Sequence, residues 1–470
     1  MRKLFVVVLV AVASLMAAQV AAAQPGFTPV SGSPFPTGSN PQSIAFSPGR
    51  SLVATADTSS NNVAVFSVSG GSLTPVPGSP FSTGPAPASV AFNANSSLVA
   101  VANRDNNTVS VYSVGPAGSL TPVGAPVGSG GTNPQSVTFS PNGGLLTVAN
   151  SGSNSVTVFS VSPSGSLSPV GAGGTGAFPH SVAFNPNGDL LAVANAGSNN
   201  VSMFSVSSSG GLAPVGSAGT GTTPWSVAFS PNGGGLLAVA NANSNNVSMF
   251  SVSSGGGLSQ VSGSPFVTGS RPQTAQFSPN GQLLVTPDQG DNNDRVFSVS
   301  SSGGLAEEPG SPVSLGGGAG PSSAAFSPDG GLLATANATT NNISMIHVAD
   351  CTPQFNQGFN SGFNAGFNPG WRSEFSKAYS RGGAWQTGWQ RGFATGRHQK
   401  TTVHGAREAA FVAAPAAVAQ AQPADATGCD VVFNFGFNKA FNIGFNSGYN
   451  SAYNFAFNQG FRAGLAKGRK

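Results

Sequence analysis

Apolar and polar residues alternate along most of this chain in short runs that end at turn-forming residues. The runs are rich in Val, Phe, Leu and Ala, and segments such as Ser-Pro-Asn-Gly, Asn-x-x-x-Asn-Asn and Ser-Ser-Gly-Gly separate them. In one run, Val201 and Met203 face one side of a strand, while Phe204 and Val206 face the other. Because both faces carry apolar side chains, the pattern predicts short strands in sheets that are covered on both sides.

Four such runs make a unit that recurs with a period of 45 to 49 residues. The Phe that anchors the first run of each unit is found at Phe46, Phe92, Phe139, Phe184, Phe229, Phe277 and Phe326. One unit is too small to bury both of its faces, so neighbouring units must cover it. The expected fold class is therefore all-β, a seven-bladed β-propeller over residues 26–350.

The two ends of the repeat array are out of phase with a complete unit. Residues 27–30, Phe-Thr-Pro-Val, match a fourth strand such as Leu-Thr-Pro-Val at 73–76, yet no first three strands precede them. The seventh unit supplies runs at 324–327, 332–336 and 343–348 and then ends. An open array would leave two bare sheet edges, so we expect the N-terminal strand to complete the last blade and close the ring.

The chain begins with Arg2 and Lys3, an apolar run over 4–16 and small residues at 21–23. This order is typical of a signal peptide, which we place at residues 1–23, and it indicates a secreted, periplasmic or cell-surface protein. An uncleaved anchor is the alternative for this segment. No later apolar run reaches the ~20 residues that a membrane-spanning helix needs, so no transmembrane span is expected.

Charge divides the chain into two regions of opposite sign. Only 7% of all residues are charged, and Gly (65) and Pro (35) are abundant, which excludes a coiled coil and most helical folds. Residues 26–350 carry ten acidic and four basic side chains, whereas 351–470 carry four acidic and twelve basic ones. We expect the two regions to have different roles.

The basic region contains a duplicated pattern of aromatic and small residues, which starts once at Cys351 and again at Cys429. Its period of four places aromatic and small residues on adjacent ridges of a helix. We therefore predict two helical aromatic/Gly-repeat copies, at 351–399 and 429–470, with an Ala/Pro-rich linker at 400–428. A flexible Phe/Gly-rich tail is the alternative. In an exported chain, Cys351 and Cys429 are expected to form a disulfide.

The basic aromatic region is expected to serve attachment or assembly. Its positive charge suits an anionic cell-envelope polymer or a membrane surface. Nucleic acid is not an expected partner of an exported chain, and a solvated, self-packing module is the alternative.

The repeat unit resembles that of the YVTN-repeat and lactonase-like group of seven-bladed propellers. The resemblance rests on the recurring Phe-x-Pro-Asn-Gly…Leu-Ala-Val-Ala-Asn-x-x-x-Asn-Asn-Val pattern over 26–350. Pro-His-Ser-Val-Ala-Phe at 179–184 is similar to the Pro-His-x-x-x-Phe of the lactonase branch. Asp-Gln-Gly…Asp-Arg-Val at 288–296 is similar to its Asp-Leu-Gly-x-Asp-Arg-Val. The resemblance implies the propeller fold and, among several activities found in this group, hydrolysis of a lactone.

One position at the entry to the first strand differs between the units. Between the Pro and the following Ser or Thr, the seven units carry Gln42, Ala88, Gln135, His180, Trp225, Gln273 and Ser322. First strands line the central channel of a propeller, so these residues are expected to form a ring near its mouth. Arg271, just before Pro272, is expected beside them.

A funnel of this composition suits a small anionic or sugar-like ligand. Arg271 is expected to pair with a carboxylate or phosphate, and Trp225 to stack on an apolar face. Gln42, Gln135 and Gln273 are the other predicted ligand-binding residues. If the channel hydrolyses its ligand, His180 is expected to be the general base that activates water. Side chains that only fill or solvate the mouth are the alternative.

The sixth unit has an acidic loop in place of a neutral one. Asp288, Asp291 and Asp294, with Asn and Gly between them, supply the oxygen ligands that Ca²⁺ prefers. An ordinary turn uses the same residues and is the alternative. The sequence contains no Cys/His zinc pattern, phosphate loop or Gly-x-Ser-x-Gly elbow, and no cofactor other than this calcium ion is expected.

These patterns favour a secreted or cell-surface propeller that acts as a binding or scaffolding module for a small ligand or a protein. The alternative is a lactonase-like hydrolase that acts on a sugar-acid lactone in the funnel. Whether the chain is an enzyme stays open between the two.

Overall fold

The computed structural model describes residues 26–49 and 51–349, and β-strands are the regular secondary structure of this part of the chain. Phe27–Val348 form one compact unit. No helix within the described ranges has the length and apolar character of a bilayer span. The predicted signal peptide, both repeat copies, the linker between them and the cysteine pair lie outside the described residues.

The strands form seven antiparallel sheets, one for each repeat unit. The chain starts with β1 (Gly26–Pro29) and β2 (Phe35–Pro36), which belong to the last sheet. Blade 1 has β3 (Pro41–Phe46), β4 (Leu52–Asp57), β5 (Asn62–Ser69), β6 (Ser72–Pro75) and β7 (Phe81–Ser82); blade 2 has β8 (Pro87–Phe92), β9 (Leu98–Asn103), β10 (Thr108–Val114), β11 (Leu120–Pro122) and β12 (Val127–Gly128). Blade 3 has β13 (Pro134–Phe139), β14 (Leu145–Asn150), β15 (Ser155–Val161) and β16 (Leu167–Gly174); blade 4 has β17 (Pro179–Phe184), β18 (Leu190–Asn195), β19 (Asn200–Val206) and β20 (Leu212–Gly219).

The remaining three blades follow in the same order. Blade 5 has β21 (Pro224–Phe229), β22 (Leu236–Asn241), β23 (Asn246–Val252), β24 (Leu258–Gln260) and β25 (Phe266–Val267); blade 6 has β26 (Gln276–Phe277), β27 (Leu283–Asp288), β28 (Asn293–Val299), β29 (Leu305–Glu307) and β30 (Val313–Ser314). Blade 7 has β31 (Pro321–Phe326), β32 (Leu332–Asn337) and β33 (Asn342–Ala349), to which β1 and β2 are added. The predicted seven-bladed propeller is confirmed.

The N-terminal strand completes the last blade. β1 pairs with β33, and the sheet continues through β32 to β31, so one blade joins both ends of the repeat array. The N–H of Val30 donates to the carbonyl oxygen of Met345 at 2.8 Å, and the N–H of Met345 donates to Ser33 Oγ at 2.9 Å. The predicted closure of the ring is therefore confirmed.

In five sheets of the described region the fourth strand consists of two short segments instead of one. The second segments are β2, β7, β12, β25 and β30, and each follows a proline: Pro34, Pro80, Pro126, Pro265 and Pro312. Proline has no N–H and cannot extend the ladder. Blades 3 and 4 lack a proline at this point and keep unbroken eight-residue strands, β16 and β20. The fourth strand is thus continuous in the two blades that lack a proline at this point and divided in the other five.

Each sheet is covered on both faces by its neighbours. Val201 and Met203 of β19 pack with apolar residues of blade 5, whereas Phe204 and Val206 pack with residues of blade 3. Similar apolar clusters fill the other seams of the described ring. The core is therefore divided among the blade interfaces, and the apolar pattern of both strand faces is explained.

The second strand of each blade ends on a buried amide or carboxylate. These residues are Asp57, Asn103, Asn150, Asn195, Asn241, Asp288 and Asn337, all fully buried. In blade 2, Asn103 Oδ1 accepts the Gly84 N–H at 3.1 Å, and its Nδ2 donates to Ser110 Oγ at 2.9 Å. In blade 1, Asp57 Oδ2 accepts the Gly38 N–H at 3.1 Å, and burial raises the pKa of Asp57 to about 6.

We expect Asp57→Asn to reduce the pH dependence of stability. The folded-state pKa of Asp57 is raised from 3.8 to about 6, so the folded state holds the proton more tightly than the unfolded state. The resulting stabilisation is complete below about pH 4 and is lost as the pH rises through about 6. A shift of this size corresponds to roughly 3 kcal/mol.

Urea unfolding of wild type and Asp57→Asn at about pH 4 and about pH 8 measures this effect. The wild type should lose more stability between the two pH values than the variant does. Asn103→Asp, the reverse change at the matching position of blade 2, should add a dependence of the same sign. Equal pH dependence in wild type and Asp57→Asn would contradict the assignment.

Candidate functional site

The entry to the first strand of a blade carries one extra residue. In blade 4, Pro179 and Ser181 pair with consecutive residues of β18, which leaves His180 without a partner across the ladder. Blades 1, 2, 3, 5 and 7 show the same register shift at the corresponding residue. A bulge of this kind re-aims the extra side chain. The side chain that differs most between the repeats is thus the one released from the regular pleat.

These extra residues line one cavity of about 130 Å³ in the central channel. The cavity is lined by Gln42, Ala88, Gln135, His180, Trp225, Gln273 and Ser322, by the Ser or Thr that follows each of them, and by Arg104. The structure therefore brings together His180, Trp225 and the three glutamines that the sequence selected. A larger cavity of about 520 Å³ lies between blades 7 and 1, beside His347, and none of the seven ring residues lines it.

His180 and Trp225 form a stacked pair in this cavity. Their ring centroids are 3.7 Å apart with an interplanar angle of 27°, and His180 Nδ1 lies 2.8 Å from the carbonyl oxygen of Trp225. A carbonyl oxygen only accepts hydrogen bonds, so Nδ1 carries the proton of the neutral ring. Nε2 therefore keeps its lone pair and is the basic atom of the pair.

The imidazole of His180 is neutral across the physiological range. Its pKa is lowered to about 4, mainly by burial; the hydrogen bond to Trp225 opposes this shift, and the nearby charge of Arg104 adds a smaller contribution in the same direction as burial. A neutral, half-buried histidine cannot act as the positively charged partner of an anion. It can accept a proton from a polarised donor at Nε2.

Arg104 lies on the wall of the same cavity and is not among the residues predicted from the sequence. It follows Asn103 at the end of β9, and its N–H donates to the carbonyl oxygen of Ala86 at 3.0 Å. Its Nε lies 3.2 Å from Asp105 Oδ1 in a pair that is largely open to solvent. An arginine held at the cavity wall by such a weak pair is free to take a stronger anionic partner.

A signal for Arg104 is present in the repeats. The residues that follow the buried Asn or Asp of the second strands are Thr58, Arg104, Ser151, Ala196, Ala242, Gln289 and Ala338. Arg104 is the charged member of this set. Comparison of this position across the units would have selected it.

Arg271 is not among the residues that line the cavity. Its side chain is exposed, its N–H donates to Asn245 Oδ1 at 2.9 Å, and its carbonyl oxygen accepts Gln273 Nε2 at 3.1 Å. The backbone of Arg271 orients Gln273, which does line the cavity. Arg104 is the cationic side chain in the lining of this cavity, and the ligand-binding role of Arg271 stays a prediction.

The three aspartates of the acidic loop have separate partners. Asp288 Oδ2 accepts the Gly269 N–H at 3.0 Å and lies 3.4 Å from Arg295 Nε. Asp291 accepts a serine N–H, and Asp294 accepts a threonine hydroxyl. No group of three or more His, Cys, Asp or Glu side chains is placed to hold a metal ion in the part of the chain that the structure describes. The calcium site stays a prediction.

Asp294 lies at a blade interface. It occupies a third-strand position that is Val or Ile in the other blades, is fully buried, and accepts the hydroxyl of Thr335 from blade 7 at 2.5 Å. Burial raises the pKa of Asp294 to about 7. Arg295 pairs with Asp288 and, at 3.0 Å, with Glu307. Of the two motifs similar to the lactonase branch, the one with His180 therefore lines the channel, and the one with Asp294 lies elsewhere.

A known family shares this architecture. The family described as "Lactonase, 7-bladed beta-propeller" matches residues 20–184, 129–229 and 175–271, which overlap and together span more than half of the chain. The chain therefore belongs to this family of seven-bladed lactonase propellers. The comparison with curated proteins returned no match.

Solved structures share the fold at low sequence identity. A putative 6-phosphogluconolactonase from Bacteroides fragilis is 19% identical with a TM-score of 0.54, and the match covers 65% of this chain and 98% of that one. The periplasmic gluconolactonase of Pseudomonas aeruginosa is 20% identical with a TM-score of 0.50, over 58% and 87% of the two chains. Hydrazine synthase from Kuenenia stuttgartiensis is 20% identical with a TM-score of 0.54, over 68% and 99%. These likenesses show the fold alone.

Proposed function

We propose that the propeller is a lactonase-like hydrolase that opens a sugar-acid lactone bound in the central channel. Membership of the lactonase family supports the reaction class. The observation that carries the proposal is the contact between His180 Nδ1 and the Trp225 carbonyl oxygen, which leaves Nε2 free as a base inside a cavity. A neutral imidazole at this place suits water activation.

In the proposed reaction one proton moves from water to His180 and then from His180 to the ring oxygen of the lactone. Water attacks the lactone carbonyl carbon while His180 Nε2 accepts a proton from the water, and the carbonyl oxygen becomes an oxyanion. The bond between the carbonyl carbon and the ring oxygen then breaks, and the departing alkoxide takes the proton back from Nε2. The product is the open-chain hydroxy acid, and the imidazole returns to its neutral form.

The glutamines of the ring are held in fixed positions. Gln42 Nε2 donates to Asn40 Oδ1 at 2.6 Å, and Gln135 Nε2 donates to Asn133 Oδ1 at 2.8 Å. Each amide has two N–H donors. The second N–H of Gln42 remains for the ligand, whereas Gln135 Nε2 also lies 3.5 Å from Ser151 Oγ and has only this long hydrogen bond to exchange for one to the ligand. Preorganised donors of this type stabilise developing negative charge without having to reorient. We assign them to the sugar hydroxyls and the oxyanion.

Arg104 supplies the charge selectivity of the site. No acidic side chain is among the residues that line the cavity, and Arg104 is the one that carries a permanent charge. A carboxylate or phosphate on the lactone would therefore be held at Arg104, with Trp225 against the sugar face. The substrate class is an anionic sugar lactone.

Arg104→Gln is expected to raise KM for an anionic lactone by roughly 10- to 100-fold, the cost of one charge-assisted hydrogen bond. A neutral lactone of the same ring size should show little change, because it has no anion to lose. Initial rates on a matched pair of lactones measure both values. Arg271→Gln tests the residue selected from sequence, and we expect a small effect there. Equal losses on both lactones would contradict anion recognition by Arg104.

The second candidate is a binding or scaffolding module. It is favoured by the absence of a carboxylate beside His180 among the residues that line the cavity, since histidine bases are commonly oriented by one. Ligand binding without turnover would identify this function. The proposed attachment role of residues 351–470, the envelope partner and the secreted location rest on segments outside the described residues and stay predictions.

A further inference from the structure

A closed belt of hydrogen bonds surrounds the channel one residue beyond the ring positions. In each blade the Ser or Thr of the first strand accepts the backbone N–H of the next blade. The pairs are Ser43 with Val90, Ser89 with Val137, Ser136 with Val182, Ser181 with Val227, Ser226 with Ala275, Thr274 with Ala324 and Ser323 with Ile44, at 3.2 to 3.4 Å. The last pair joins blade 7 to blade 1. We call these seven side chains the hydroxyl ring.

The seven hydroxyl groups of the hydroxyl ring each carry a proton that needs a hydrogen-bond acceptor. Each hydroxyl uses an oxygen lone pair for the neighbouring N–H, and a hydroxyl also carries one proton that it can donate. Within the described residues, no carbonyl or carboxylate oxygen accepts a hydrogen bond from any of these hydroxyls. Two of them, Ser226 and Ser323, are only 8% exposed. Buried donors of this kind need an acceptor.

All seven of these residues line the same channel cavity of about 130 Å³, so an acceptor bound in this cavity would have several of their hydroxyls as neighbours. The sign of its charge follows from what surrounds it. The hydroxyl oxygens already face N–H donors, and the permanently charged group in the lining is Arg104. A cation would meet positive charge from both, whereas an anion would receive charge-assisted hydrogen bonds.

We propose that the hydroxyl ring is a binding site for one small anion, with chloride as the simplest occupant. The hydroxyl protons are its donors, and the backbone N–H behind each oxygen polarises them toward it. The site shares its cavity with the proposed lactone site, but it rests on different side chains and stands even if the chain hydrolyses no lactone. It also couples the blades, because a single central ion contacts side chains that belong to different sheets.

Chloride line width in nuclear magnetic resonance, measured with the full chain, tests the site directly. The wild type should broaden the chloride signal, and added phosphate or bromide should reverse the broadening by competing for the site. The double variant Ser136→Ala/Ser181→Ala removes two donors, and we expect on the order of tenfold weaker binding per hydroxyl lost. The matched control is Ser160→Ala/Ser205→Ala, which removes two exposed hydroxyls from the same two blades and should bind like wild type.

The hydroxyl-retaining variant Ser136→Thr/Ser181→Thr should keep chloride binding, as Thr274 holds the same place in blade 6. If the double alanine variant does not fold, as judged by circular dichroism, the single alanine variants should each show the tenfold loss. His180→Ala should leave chloride binding intact, which separates this site from the hydrolase. Unchanged broadening in the alanine variants would overturn the proposal. So would full loss in Arg104→Gln with retention in the alanine variants, because the anion would then lie at the arginine alone.

Discussion

Val30→Asp is expected to lower the free energy of unfolding of the propeller by about 4 kcal/mol, because it puts a carboxylate without a partner into an apolar cluster. Val30 is 4% exposed and packs in the seam between blades 7 and 1, together with Ile44 and Met345. Urea or thermal unfolding measures the loss.

The matched control is Val170→Asp in β16, where the valine is 41% exposed. The same substitution there should change stability by less than about 0.5 kcal/mol. A peptide of residues 26–36 added to a chain that lacks them should restore the wild-type unfolding transition, because β1 contributes as a separate strand. If Val30→Asp and Val170→Asp cost the same, the N-terminal segment is not part of the core and the closure is refuted.

His180→Ala is expected to reduce kcat/KM for lactone hydrolysis by 10²- to 10⁴-fold, about the contribution of a general base. The pH profile carries the more specific prediction. With a pKa of about 4, the wild-type base is deprotonated at neutral pH, so the rate should be flat above about pH 5 and fall as the pH drops through about 4. This acid limb should disappear in the variant.

His347→Ala is the control for this experiment. His347 is an exposed histidine of β33 that lies outside the channel cavity, so its removal should leave rate and profile unchanged. A profile with its midpoint near the ordinary histidine value of about 6.5 would show that burial does not set the pKa of the base. Full activity in His180→Ala would remove this residue from the mechanism.

The fold could be predicted because the sequence pattern of one blade recurs seven times. A period of 45 to 49 residues averages out local ambiguity, and the unmatched strand at 27–30 specifies how the ring closes. The one feature of the strands that differed, the divided fourth strand, depends on single prolines such as Pro80 and Pro265. These prolines are visible in the sequence, but their effect on the fourth strand can be predicted only when the pairing of that strand with the third strand is known.

The candidate site was predictable in part for the same reason. His180 and Trp225 occupy equivalent positions of neighbouring units, so they must meet at the channel. Arg104 reaches the same cavity from a different position of the repeat, two blades away from His180. A comparison of the units at the entry to the first strand therefore does not find it, whereas the same comparison at the end of the second strand does. The hydroxyl ring shows the converse. Its Ser or Thr recurs in every unit, but only the spacing between blades reveals that each one accepts the N–H of the next.

Initial rates on a panel of anionic and neutral sugar lactones, corrected for spontaneous hydrolysis, test the proposed function most directly. The wild-type chain should open at least one anionic lactone at a saturable rate well above the uncatalysed reaction, and neutral analogues more slowly at equal concentration. If a folded wild-type protein leaves every lactone at its spontaneous rate, the channel is not a hydrolase site, and its side chains serve binding alone.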